Sequence, residues 1–226
     1  MKNTLFKKIQ ALFLRRKKSL TPGDVASLVK SNAKEEYDAL WSNKDLLEAY
    51  MVPNRLKGQT LIADFVLSKG VTGKVVDIGF GSGDFLRVLN EKSTDDKLTI
   101  YGLDYSKAAV ARAKRIIPQG NFISGEAYNL PYDDNFFDLV ACLQTLEHLD
   151  NPQKAVKEFD RVCAPGGLIL ISIPNGDLDD FEGHVNFWNS SQFKEFLAPR
   201  IIVDCIHFND NRAFFVTFNP LKILNN

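Results

Sequence analysis

The residues best suited to bind a ligand lie between positions 74 and 85. An acid there is followed by three alternating glycines: Asp77, Gly79, Gly81 and Gly83. Glycine accepts positive φ and lets a ligand approach the backbone closely. A second acid, Asp104, lies 25 residues beyond Gly79, where a carboxylate can accept hydrogen bonds from both hydroxyls of a ribose. This spacing predicts a site for a nucleoside-containing cofactor.

The residues around the glycines predict the strand and the helix that must position them. Val75 and Val76 are β-branched and apolar, as in a buried parallel strand, and Asp77 stands where this strand would end. Asp84 begins a run of apolar residues at helical spacing, and a carboxylate suits the positive end of the helix dipole. A dinucleotide fingerprint would require glycine at position 84, so Asp84 disfavours a pyrophosphate ligand.

Strand and helix patterns continue to alternate after this turn. Further strands are predicted at residues 98–104, 121–124, 137–143 and 168–173, and helices after Ser106 and from Pro152. Residues 201–207 and 213–218 predict two strands joined by a polar turn. Repeated βα units with a final hairpin predict an α/β fold, a doubly wound, mostly parallel sheet with an antiparallel edge. Two helices are expected between residues 35 and 69, where they would cover the sheet or cap the site.

Four segments resemble, in order, the motifs of class I S-adenosylmethionine-dependent methyltransferases: VVDIGFGSG, YGLDYS, SGEAYNLPYDDNFFDLVACLQTLEHL and APGGLILISIPN. The chain is most similar to the group that includes the methyltransferase type 11 domain and the quinone-biosynthesis enzymes. The resemblance spans about residues 70–175. It implies a Rossmann-like, seven-stranded sheet in the order 3-2-1-4-5-7-6, with S-adenosyl-L-methionine as cofactor.

The resemblance also implies which residues bind the cofactor. Asp77 and the glycine turn, Gly79, Gly81 and Gly83, would hold its amino acid end, and Phe80 stands in this turn where the family often has cysteine or a small residue.

Asp104 would accept hydrogen bonds from the ribose, and Tyr105 would pack on the adenine. Glu126 would accept the adenine amino group, with the backbone amide of Ala127 beside it. Two residues past the fourth strand would flank the methionine and sugar portions: Leu143 and Gln144.

The reaction that the resemblance implies is methyl transfer to an O, N or C nucleophile of a small or lipid-linked acceptor. His148 and His184 are the candidate catalytic residues. His148 either contacts the substrate and accepts a proton near neutral pH, or is a turn histidine bonded to the backbone. His184 either lines the substrate mouth, as similar His-x-x-Phe segments do in this group, or belongs to a segment whose Phe187 and Trp188 pack on the core.

Composition limits the partners that the chain can have. Residues 1–18 contain seven basic residues and no acid, so the remaining 21 basic residues face all 28 acids, a net charge of −7. No nucleic-acid partner is expected on such an acidic body. The three cysteines, Cys142, Cys163 and Cys205, form no C-x-x-C pair, so we expect no metal site from them. Their odd number and wide spacing predict free thiols in a reducing, cytoplasmic location.

The N-terminal residues predict a separate element. Leu5, Phe6, Ile9, Leu12 and Phe13 fall on one helical face, flanked by lysine and arginine. We therefore divide the chain into a basic amphipathic segment, residues 1–34, and a methyltransferase domain with N-terminal cap helices, residues 35–226. Residues 2–18 either contact a membrane surface peripherally or pack on the domain as a lid.

Two other functions stay open. A cofactor-binding module without catalysis would act through a partner, which intact cofactor residues do not exclude. A nicotinamide-dependent oxidoreductase would share the strand, turn and helix, although Asp84 disfavours it.

Overall fold

A computed structural model describes residues 21–51, 53–94 and 97–221. Its helices are α1 (Pro22–Ala26), α2 (Lys34–Ser42), α3 (Lys44–Tyr50), α4 (Pro53–Ser68), α5 (Asp84–Lys92), α6 (Lys107–Ile116), α7 (Pro152–Val162) and α8 (Ser190–Leu197). Its strands are β1 (Gly73–Ile78), β2 (Leu98–Asp104), β3 (Asn121–Ser124), β4 (Phe137–Leu143), β5 (Cys163–Pro174), β6 (Ile202–Phe208) and β7 (Ala213–Phe218). A 3₁₀ turn, Leu146–His148, follows β4.

The strands form one seven-stranded sheet in the order β3-β2-β1-β4-β5-β7-β6. The five strands β1 to β5 pair in parallel, and β7 pairs antiparallel with both β5 and β6. The predicted fold class and strand order are therefore confirmed. Because β1 lies between β2 and β4, the turns after these three strands meet at one edge of the sheet, where ligands bind in open α/β folds.

Side chains of each inner strand alternate between two hydrophobic layers. Val75 belongs to the layer covered by α2 to α6, whereas Val76 belongs to the layer covered by α7 and α8. Phe85 on α5 and Phe159 on α7 are fully buried in these two layers. Burying a side chain of this size contributes about 1.5–3 kcal/mol, so the two layers hold the strand ends in fixed relative positions.

The region before β1 differs from the prediction of two helices. The first predicted helix is divided at Asn43, and α2 and α3 lie on either side of it. The side chain of Asn43 accepts hydrogen bonds from the amides of Asp45 and Leu46, at 3.0 and 3.1 Å. Such a bond caps a helix start, so a new helix begins there although the apolar pattern continues through Leu46 and Leu47.

The described part of the proposed N-terminal segment packs on the domain. Val25, Leu28 and Val29 are buried in the same hydrophobic layer as α2. Residues 1–20, which include the basic amphipathic pattern, lie outside the described residues, so the boundary at residue 34 stays a prediction. Among the described helices, none has the length and apolarity needed to cross a bilayer.

Candidate functional site

The glycine turn after β1 has the backbone that its sequence predicts. Gly79, Gly81 and Gly83 have φ of +77°, +52° and +75°, in the region that other residues rarely adopt. A Cβ on Gly79 would lie 2.4 Å from the side chain of Thr145, and one on Gly81 would lie 2.9 Å from the ring of Trp41. Glycine is required here because the chain's own side chains approach the turn, a reason that the sequence alone does not provide.

Asp104 at the end of β2 is joined to this turn. Its Oδ2 accepts a hydrogen bond of 2.8 Å from the amide of Gly81, and its Oδ1 accepts one of 2.8 Å from the amide of Ser106. The residue is 4% exposed, and this burial raises the pKa of its carboxyl to about 6, against the opposing effect of the two amides. The predicted ribose acid therefore lies against the predicted glycine turn.

Asp77 is the most deeply placed acid of the predicted site. It is 1% exposed, and its Oδ1 has no hydrogen-bond partner within the described residues. Burial, followed by the nearby charge of Asp104, raises the pKa of Asp77 well above its usual range. A buried carboxyl oxygen without a partner is costly, and a ligand that donates a hydrogen bond to it would offset that cost.

Helix α2 and the residues before it cap this edge of the sheet. The hydroxyl of Tyr105 donates a hydrogen bond of 3.1 Å to the carbonyl of Asn32, and the rings of Tyr37 and Tyr105 lie 5.6 Å apart. Asp38 accepts a hydrogen bond of 2.5 Å from Ser106, the residue that caps α6. The sequence predicted cap helices but not these residues, since their contacts join positions about 70 residues apart.

Phe80 is the predicted site residue whose side chain the structure places elsewhere. It is 5% exposed, and its ring packs edge-to-face on Phe122 at 5.4 Å and against Gly102. The larger ring at this position is therefore accommodated in the core because Gly102 has no side chain. Only the backbone of Phe80 remains part of the turn.

The other predicted cofactor residues follow β3 and β4. Glu126 is exposed and Ala127 is partly buried, and the amide of Gly125 donates a hydrogen bond of 3.0 Å to the carbonyl of Asp104. Leu143 and Gln144 are partly buried.

Gln144 has a positive φ of +52°. Its amide nitrogen Nε2 donates a hydrogen bond of 3.0 Å to Ser172 on β5. The turn after β4 is thereby tied to β5, and this bond occupies the side chain expected to flank the cofactor.

His148 and His184, the two predicted catalytic residues, lie together beside Glu147. Their rings are 4.6 Å apart, and one ligand atom from each of the three residues lies within 4.8 Å of the others. Nδ1 of His184 lies 2.5 Å from Oδ2 of Asp179, and Nδ1 of His148 lies 2.9 Å from Oδ1 of Asn32.

Burial, followed by the charge of His184, lowers the pKa of His148 to about 4, and burial raises the pKa of Glu147 to about 8. His148 is therefore neutral at physiological pH, which suits a ligand of a cation, whereas a pKa this low makes it a weak acceptor of protons. The sequence analysis identified both histidines but not Glu147 or Asp179. The available signal for Glu147 was its position directly before His148.

Comparisons with known proteins agree with the resemblance to methyltransferases. Residues 76–171 match the family model described as "Methyltransferase domain". The chain is 34% identical over 99 residues to a demethylmenaquinone methyltransferase of Renibacterium salmoninarum, covering 44% of this chain and 40% of that protein. It is 28% identical over 171 residues to the demethylmenaquinone methyltransferase of Thermotoga maritima, covering 66% of this chain and 72% of that protein. The first relative is thus matched over less than half of its length.

A solved structure shares the fold over most of the chain. The N-methyltransferase NodS from Bradyrhizobium japonicum, in complex with S-adenosyl-L-homocysteine, superposes with a TM-score of 0.70 at 16% identity, covering 84% of this chain and 98% of that one. This likeness shows a shared fold, in agreement with the order of the strands. Residues 76–171 match a methyltransferase domain, and the relatives to which the chain is similar include proteins named as quinone-biosynthesis methyltransferases.

Proposed function

We propose that this chain transfers the methyl group of S-adenosyl-L-methionine to an O, N or C nucleophile of a small or lipid-linked acceptor. The observation that carries the proposal is the junction of Asp104 with the glycine turn through Gly81, next to Asp77 with its unpartnered Oδ1. Two buried acids at the ends of neighbouring strands provide hydrogen-bond acceptors for a nucleoside that carries an amino acid. One acid would bind the amino group and the other would bind the ribose hydroxyls.

The residues present fit this cofactor. The unpartnered Oδ1 of Asp77 would accept a hydrogen bond from its amino group, and Asp104 would accept hydrogen bonds from the ribose hydroxyls. Tyr105 would pack on the adenine, with Glu126 and the amide of Ala127 at its polar edge. The described hydrogen bonds of Asp104 come from backbone amides, and a carboxylate oxygen has lone pairs for more than one donor.

The bound cofactor supplies an activated methyl group on a sulfonium. The contribution of the chain is to position the acceptor in line with that group and to exclude water. The turns after β4 and β5 carry His148 and His184, which would contact the acceptor. Relatives named as demethylmenaquinone methyltransferases support a small or lipid-linked acceptor.

A nicotinamide-dependent oxidoreductase is less well supported, because Asp84 occupies the position where a dinucleotide fold needs glycine. Asp84 is 6% exposed at the start of α5 and pairs with Arg87 at 3.1 Å. Arg112 lies 3.6 Å from its other oxygen. A carboxylate fixed there would repel a pyrophosphate that approaches the helix N-terminus.

Calorimetric titration of the full chain with S-adenosylhomocysteine and, separately, with NADH tests the cofactor. We expect S-adenosylhomocysteine to bind. At a concentration of a hundred times Kd, it should add about 2.7 kcal/mol to the free energy of unfolding, which a thermal melt detects as a higher melting temperature. NADH is expected to give no comparable effect. Tighter binding of NADH would contradict the proposal and favour the oxidoreductase.

A further inference from the structure

We infer that Glu147, His148 and His184 bind a divalent transition-metal ion such as Zn²⁺, Fe²⁺ or Co²⁺. The three side chains come from two segments, the 3₁₀ turn after β4 and the loop after β5, and their ligand atoms lie within 4.8 Å of one another. Two imidazoles and one carboxylate are a donor set that these ions prefer. The binding of the ion does not depend on methyl transfer; its use to hold an acceptor oxygen rests on the proposed function.

The hydrogen bonds of the two histidines leave the same ring nitrogen available in each. Nδ1 of His184 faces the carboxylate of Asp179 at 2.5 Å, and Nδ1 of His148 faces Oδ1 of Asn32 at 2.9 Å and the carbonyl of Gly183 at 3.2 Å. These oxygens accept hydrogen bonds, so each Nδ1 carries the proton and each Nε2 retains its lone pair. Metal-binding histidines characteristically have their second nitrogen held in this way by a carboxylate or a carbonyl.

Glu147 provides a second, independent observation. It is 1% exposed, and neither of its carboxyl oxygens has a hydrogen-bond partner in the part of the chain that the structure describes. Its Oε1 lies 3.9 Å from Nε2 of His184. A buried carboxyl without partners is costly, and a cation between these two atoms would satisfy both.

Hydrogen bonds hold the 3₁₀ turn after β4 and the loop after β5 against each other. The amides of Val185 and Asn186 donate hydrogen bonds of 3.0 and 3.1 Å to the carbonyl of Glu147. The side chain of Asn186 donates another, of 2.7 Å, to the carbonyl of Leu149. The ligands are therefore presented by a fixed scaffold, and side-chain rotation alone must bring them to the ion.

The required rotation is small. Zinc–nitrogen bonds of about 2.1 Å place the ligands of a tetrahedral site about 3.4 Å apart, which is close to the 3.9 Å between Glu147 and His184. Three protein ligands leave at least one coordination position open, as in catalytic rather than structural sites. An oxygen of the acceptor is the ligand that we assign to that position.

The test uses untagged full-length protein that has been treated with a chelator and dialysed. We expect one Co²⁺ per chain to produce visible d–d absorption, and one Zn²⁺ to displace it with a micromolar or tighter Kd. Glu147→Gln and His184→Asn should each remove the Co²⁺ absorption. Asp179→Asn, which leaves the three ligands in place, should weaken Zn²⁺ binding by about 10–100-fold.

His207→Asn is the matched control, because His207 is exposed on β6 and takes no part in the cluster. It should bind both ions like the wild type. Absence of Co²⁺ absorption in the wild type, or absorption that survives Glu147→Gln and His184→Asn in folded protein, would overturn the inference. If Glu147→Gln does not fold, His184→Asn and Asp179→Asn decide the question.

S-adenosylhomocysteine is titrated into the same samples, so that failure of the inferred metal site and failure of the proposed function can be told apart. Cofactor binding without metal binding would overturn the metal site alone. In that outcome, a melting temperature of Glu147→Gln above that of the wild type would indicate that the cluster is held by a hydrogen bond between protonated Glu147 and His184. Metal binding without cofactor binding would support the ion and contradict the proposed function.

Discussion

The backbone amide of Gly81 donates a hydrogen bond of 2.8 Å to the carboxylate of Asp104. This bond joins the turn after β1 to the end of β2 and fixes the acid proposed for the ribose at the turn proposed for the amino acid end. Both halves of the proposed cofactor site therefore depend on one contact between neighbouring strands.

Replacing Asp104 by asparagine should weaken S-adenosylhomocysteine binding by roughly 10–100-fold. A hydrogen bond to a charged group contributes about 1.5–3 kcal/mol, and the amide keeps the shape of the side chain but not its charge. Isothermal titration calorimetry measures the change. Asp133→Asn, an exposed acid outside the proposed site, should bind like the wild type. An unchanged Kd for Asp104→Asn would show that the ribose assignment is wrong.

The affinity for S-adenosylhomocysteine should fall as the pH is lowered through about 6. Burial raises the pKa of Asp104 to about 6, so the cofactor-free protein takes up a proton there more readily than an exposed aspartate. Ribose hydroxyls donate to the carboxylate, so protonation and binding compete, with a limiting slope of about tenfold per pH unit. Above pH 7 this effect should vanish.

Titrations between pH 5 and 8, with folding checked by circular dichroism, measure this dependence. Asp104→Asn should lose the step near pH 6. If the step persists unchanged in that variant, another group is responsible for it.

Gly81→Ala should lower both stability and cofactor affinity. The residue has a φ of +52°, and a Cβ there would lie 2.9 Å from the ring of Trp41. We expect a loss of about 1–3 kcal/mol in the free energy of unfolding, measured by urea denaturation, and weaker binding of S-adenosylhomocysteine.

Gly70→Ala separates backbone strain from the clash with Trp41. Gly70 has a φ of +69° with nothing within 4 Å of an added Cβ, and it ends α4, away from the proposed site. Its substitution should cost only the strain and leave cofactor affinity unchanged. Equal losses of affinity in the two variants would contradict the proposed position of the site.

Residues 2–18 should increase binding to anionic vesicles. Their seven lysines and arginines flank an apolar helical pattern, and such helices bind anionic surfaces by burial and charge together. Co-sedimentation with phosphatidylserine-containing liposomes compares the full chain with a protein that starts at Ser19. Equal sedimentation of the two proteins would contradict membrane contact and leave packing on the domain as the alternative.

Local patterns were enough to predict most strands and the residues that stop them. The strands over 98–104, 121–124, 137–143 and 213–218 agree with the structure residue for residue. The helix after Ser106 also begins as expected, because the serine side chain accepts a hydrogen bond from the amide of Ala109 at 3.2 Å. These features depend on neighbouring residues, which is why the sequence could predict them.

Features that depend on distant contacts were not predicted. The apolar pattern of residues 37–51 is continuous, so the cap at Asn43 that starts a new helix was missed. The packing of the Phe80 ring in the core depends on Gly102, which lies on β2. Glu147 was not identified because its lack of a partner is visible only when the loop after β5 is in place.

The central claim, methyl transfer from S-adenosyl-L-methionine, is tested most directly with a cofactor whose methyl group is deuterated. The full chain is incubated with it and with a metabolite extract of its source cells, and products are identified by mass spectrometry. We expect the wild type to produce one or more small molecules that carry the deuterated methyl group, and Asp104→Asn to produce far less. Binding of the cofactor with no labelled product from any acceptor would contradict the claim and favour a non-catalytic module.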